Sequence, residues 1–95
     1  MNLFLFGEVT AEDAADLAQE LLAAEEEVTL YLASSGGDAV SGRGLAAAID
    51  LCPYAVTTVA LGEVGSSAAL VFLAGAFRLV TPAAHFTFHG CRTSK

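Results

Sequence analysis

The period of apolar and polar positions changes repeatedly along the chain, and each change marks an element. Residues 2–6 (Asn-Leu-Phe-Leu-Phe) form a short apolar run, closed by Gly7, that predicts a strand. Thr10 with Asp13 three residues on has the spacing of a capping box. Ala14, Leu17, Ala18, Leu21 and Leu22 then recur at helical spacing with acids between them, which predicts a surface helix with one buried stripe. Glu25-Glu26-Glu27 puts like charge where the helix dipole disfavours it, so the run reads as a solvated helix end and loop. Residues 28–33 are a second strand, and Ser34-Ser35-Gly36-Gly37-Asp38 a turn. A second helix spans about 39–51 and stops before Pro53. Gly42 and Gly44 in its early turns predict close backbone packing. Residues 55–61 are β-branched and apolar, a third strand; the Ala- and Leu-rich segment from Ser66 to Ala74 is a third helix, with Gly75 after its end. Residues 77–80 predict a short strand and Thr81-Pro82 a turn. His85-Phe86-Thr87-Phe88-His89 alternates with a period of two, placing Phe86 and Phe88 on one face and His85, Thr87 and His89 on the other.

Strands alternating with helices imply an α/β fold with a largely parallel sheet flanked by helices. In such sheets ligands bind beyond the carboxyl ends of the strands. Gly36-Gly37 and Ser66 both fall there.

Composition narrows the classes. Ninety-five residues make one domain, 1–95. The hydrophobic fraction of 55% is high for so small a chain and points to burial against other subunits, as in an oligomer, or against a missing remainder of the domain. The net charge is −7, with eight of the eleven acids before residue 28 and no basic residue before Arg43. Phosphate backbones and anionic membranes need Lys/Arg clusters, so neither nucleic acid nor a membrane surface is an expected partner. Cys52 and Cys91 lack metal or redox spacing, no apolar run approaches a bilayer's span, and no signal segment opens the chain. A cytoplasmic location is expected.

The chemistry-bearing residues lie at the strand ends. Ser66 and Ser67 stand at a helix N-terminus, where unpaired N–H groups and the helix dipole favour negative charge. A serine there can cap the helix, or it can be a nucleophile whose oxyanion the same field stabilises. The Gly-x-Ser-x-Gly elbow pattern is not matched, because Val64 and Ala68 stand where its glycines would be. Gly36-Gly37 lets backbone approach a substrate, so the N–H groups of Gly37 and Ser67 could form an oxyanion hole; the alternative is a tight turn with Asp38 capping the next helix. His89, at a strand end before Gly90, can act as a base at neutral pH or be an ordinary polar strand end. His85 and His89 share a face, but no third ligand is evident, so no metal or other cofactor is expected.

Four blocks in order carry a resemblance: Phe6-Gly7-Glu8-Val9-Thr10, Leu32 through Asp38, Gly62 through Ala69, and Phe86-Thr87-Phe88-His89. They resemble the successive blocks of Clp-protease proteolytic subunits. The resemblance implies a Clp/crotonase fold, a spiral of ββα-type units. It implies Ser66 as nucleophile, His89 as base, and Gly37 and Ser67 as oxyanion-hole donors. Ser35 replaces the proline of the family's Ser-Pro-Gly-Gly segment. The family's triad aspartate comes after the histidine, and no acid occurs here after Glu63. The blocks cover about the first half of a family subunit, without the handle region, so a fragment, a truncated relative or a variant completed by neighbouring subunits is expected.

Three functions follow from this resemblance. The first is a Clp-type serine peptidase acting on peptides or unfolded protein, weak by itself without the aspartate. It would assemble as a homo-oligomer and could be served by an AAA+ unfoldase or a Clp-type relative. The second is a structural or regulatory subunit that oligomerises without catalysis. The third, acyl-CoA chemistry as in crotonases, fits poorly, because the acidic chain offers few groups for the CoA phosphates.

Overall fold

In the computed structural model, residues 1–87 are described. The elements are β1 (Asn2–Val9), α1 (Ala11–Leu22), β2 (Val28–Gly37), α2 (Ala39–Leu51), β3 (Val56–Gly65), α3 (Ser67–Leu73), β4 (Phe77–Val80) and β5 (His85–Thr87). The strand order is β1-β2-β3-β4, with β5 also on β3, and every pairing is parallel. Because β2 occupies one edge of β3, β4 and β5 share the other. β4 lies beside Thr57–Ala60 and β5 beside Glu63–Gly65.

The helices open where the sequence marks them. The Thr10 hydroxyl accepts from the Asp13 N–H at 3.1 Å, and the Asp38 carboxylate accepts from the Ser41 N–H at 2.9 Å. These caps satisfy N–H groups that the helices leave unpaired. Leu5, Leu30, Leu32, Ala60 and Val64 face Leu21, Leu45, Ile49, Val71 and Phe72 in one core. Burying each large side chain contributes about 1.5–3 kcal/mol. Leu22, expected in the buried stripe of α1, is instead exposed.

The first three strands run further than apolar patterning predicts. Gly7 adopts φ 78°, which lets β1 kink between Phe6 and Glu8 and resume its ladder. Gly36 and Gly37 therefore end a strand rather than form a turn, paired with Glu8 and Val9. β3 continues through an irregular stretch to Gly65.

Two glycines differ from expectation. Gly42 does pack closely: a methyl group there would stand 2.6 Å from Ser67 Cβ, whereas at Gly44 it would meet nothing within 4 Å. Gly75 follows α3 as predicted but not for a left-handed turn. Its missing side chain makes room for Thr58, whose hydroxyl donates to the Phe72 carbonyl at 2.8 Å.

The sheet face away from the helices carries a row of register partners, Phe4, Tyr31, Val59 and Leu79. Phe4 stacks on Tyr31 with ring centroids 5.3 Å apart, yet Phe4, Phe6, Phe77 and Leu79 all remain exposed. No helix among the described residues is long and apolar enough to cross a membrane.

Candidate functional site

The carboxyl ends of β2 and β3 meet at Ser66. It is the one non-glycine residue with positive φ among the described residues, at φ 51° and ψ −124°. Such a conformation costs on the order of 1–3 kcal/mol and persists only where the surroundings enforce it. Here the Ser66 N–H donates to the Thr87 carbonyl at 3.2 Å, and the Ser66 carbonyl accepts from the Ala69 N–H at 3.0 Å. Gly36 of β2 packs closely against this turn. A methyl on it would lie 2.7 Å from Ser66 Cβ and 2.8 Å from the Gly65 carbonyl oxygen.

Ser66 occupies the N-cap position of α3, but its side chain makes no capping bond. Ser66 as a residue is exposed. Ser67 is the opposite case: it is buried against Gly42, and its Oγ has no hydrogen-bond partner among the described residues. The two neighbouring serines are thus sorted by the backbone, one towards solvent and one into the α2–α3 contact.

Of the glycine pair, Gly36 is the one against Ser66. Gly37 is next along, its missing side chain facing the Val9 backbone and the Glu8 stem. The Ser67 N–H nitrogen lies near the same turn, 3.3 Å from where a Gly36 methyl would be. His85 lies on β5, opposite Glu63 in the register and exposed. His89, the candidate base, lies outside the described residues.

Two residues at the site carried no sequence signal that singled them out. Thr87 holds the Ser66 amide through its carbonyl, and its hydroxyl donates to Glu63 Oε2 at 3.1 Å. The available hints were an acid at an otherwise apolar strand end and the shared face of Thr87 and His89.

Asp38, which begins α2 beyond Gly37, has its carboxyl held below the ordinary value of 3.8, first by the Ser41 hydroxyl, then by the Ser41 N–H, with a smaller contribution from Arg43. A lowered folded-state value stabilises the fold above the unfolded pKa, and that contribution is lost as pH falls through the folded value. Asp38→Asn still caps but cannot titrate. It should lower the melting temperature slightly at neutral pH, where the ionised carboxylate contributes, and the gap to the parent should close below about pH 4, measured by thermal melts across the acid range.

The family model described as Clp protease matches residues 1–93. The chain belongs to the Clp protease family. It is similar to the ATP-dependent Clp protease proteolytic subunit 3 of Rhizobium meliloti (strain 1021), at 29% identity over 94 residues, covering 93% of this chain and 48% of that protein. The chain thus spans about half the length of that relative. Its fold matches ClpP1 from Listeria monocytogenes and a mutant of it, each with TM-score 0.86 at 24% identity, covering 93% of this chain and 55% of the other. The parallel sheet flanked by helices is therefore the family's architecture, as the resemblance implied.

Proposed function

We propose that this chain carries the nucleophile of a Clp-type serine peptidase. The observation that supports it best is Ser66: an exposed residue on a strained strand-to-helix turn, its hydroxyl unused as a cap. Strained turns of this kind present the nucleophile in elbow-type hydrolases. In the proposed reaction Ser66 Oγ attacks the peptide carbonyl carbon while its proton passes to His89. The C–N bond then breaks, His89 returns the proton to the leaving amine, and water hydrolyses the acyl ester. The N–H groups of Gly37 and Ser67 would hold the oxyanion. Thr87, two residues before His89 in the sequence, accepts from the Ser66 amide. Substrates would be peptides or unfolded chains, delivered by an AAA+ unfoldase.

The uncovered aromatic sheet face of Phe4, Phe6 and Tyr31 supports a second reading, a subunit that assembles with copies of itself or a Clp-type relative without cleaving anything. Reacting the chain with a fluorophosphonate and mapping the modified peptide separates the two. An adduct on Ser66 is expected for the peptidase. A chain that stays unlabelled, or labels at another residue, rules out Ser66 as the nucleophile and favours the assembly role.

A further inference from the structure

We propose that Glu63 is a positioning residue for the Ser66 turn, acting through Thr87. A backbone held at φ 51° needs partners that enforce it, and the Thr87 carbonyl is one of them. Thr87 sits on β5, described over His85–Thr87 and paired with the end of β3. The ends of a sheet open more easily than its centre unless side chains tie them down. Thr87 is tied by its hydroxyl, which donates to the Glu63 carboxylate from a partly buried position. An ionised acceptor makes that bond stronger than a neutral one. Gly65 makes it possible, because a side chain there would occupy the space of the Thr87 hydroxyl. The tie is therefore continuous: Glu63 on β3 fixes Thr87 on β5, and Thr87 fixes the amide three residues after Glu63. His85 faces Glu63 across the same pair of strands, but no ion pair joins them in the described structure.

The backbone effect stands independently of catalysis; its consequence for reactivity rests on the reading of Ser66 as the nucleophile. The test measures amide hydrogen exchange at Ser66 together with the rate of fluorophosphonate labelling, on the whole chain. Glu63→Ala and Thr87→Val should each speed exchange of the Ser66 amide about tenfold, and slow labelling by a similar factor. Glu63→Gln keeps an acceptor and Thr87→Ser keeps the donor, so both should recover most of the loss. The amides of Leu30 and Leu32, deep in β2, should not change. Unchanged exchange at Ser66 in Glu63→Ala and Thr87→Val overturns the proposal, and so does a rise shared equally by Leu30 and Leu32, which would mean general unfolding. Exchange that responds in a chain whose Ser66 never labels keeps the tie and discards the nucleophile.

Discussion

Ser66→Ala is expected to remove the fluorophosphonate adduct entirely and to lower peptide turnover about 10²-fold, with the melting temperature close to that of the parent. The factor follows from what is present in residues 1–95. Where a full triad operates, losing the serine costs about 2 × 10⁶ in turnover and losing the aspartate alone about 3 × 10⁴. No acid follows Glu63 in these residues, so if they act without a carboxylate from elsewhere the expected difference is the ratio of the two, about 10². A drop of about 10⁴ or more would mean that a carboxylate reaches the base from outside these residues. Stability should hardly move, because the Ser66 hydroxyl makes no capping bond to lose. Ser67→Ala is the control. Its hydroxyl is buried without a partner among the described residues, and removing it relieves a desolvation cost of about 1–3 kcal/mol. That variant should melt higher and still label at position 66. Labelling that survives Ser66→Ala, or disappears with Ser67→Ala, would defeat the assignment.

The order of elements could be read from the chain because each depends on local chemistry. Thr10 and Asp38 announce their helices by spacing alone, and the strand cores announce themselves by β-branched and apolar runs. The strand ends could not be read so. Gly36 and Gly37 look like a turn until β1 is seen alongside, because only pairing with Glu8 and Val9 holds two glycines extended. Leu22 fits a buried stripe by spacing, but no neighbouring element among the described residues covers it. At the site, sequence named Ser66 but could not separate a cap from a free hydroxyl. That distinction lies in one backbone angle set by contacts from β2 and β5. The Glu63–Thr87 tie spans 24 positions, so no local pattern exposes it.

Gly36→Ala should be strongly destabilising, and Gly44→Ala should do the reverse. Gly36 sits at φ 108°, where an L-residue is strained, and an added methyl would lie 2.7 Å from Ser66 Cβ and 2.8 Å from the Gly65 carbonyl oxygen. Strain and overpacking each cost about 1–3 kcal/mol, so a total of about 3 kcal/mol or more is expected. For a domain of this size that is a fall in melting temperature of about 12–24 °C. Neither neighbour can yield easily. Gly65 is pinned between the Ser35 backbone and Thr87, and Ser66 is held by the Thr87 carbonyl. The methyl would therefore also push Ser66 from its turn, and labelling of the folded fraction should fall with it. Gly44 lies within α2 with open space around it, so alanine there should add about 0.5–1 kcal/mol by helix propensity alone. Thermal melts of the two variants beside the parent decide the matter. If Gly36→Ala melts and labels like the parent, the close approach of β2 to the Ser66 turn is wrong, and with it the packing on which the peptidase reading depends.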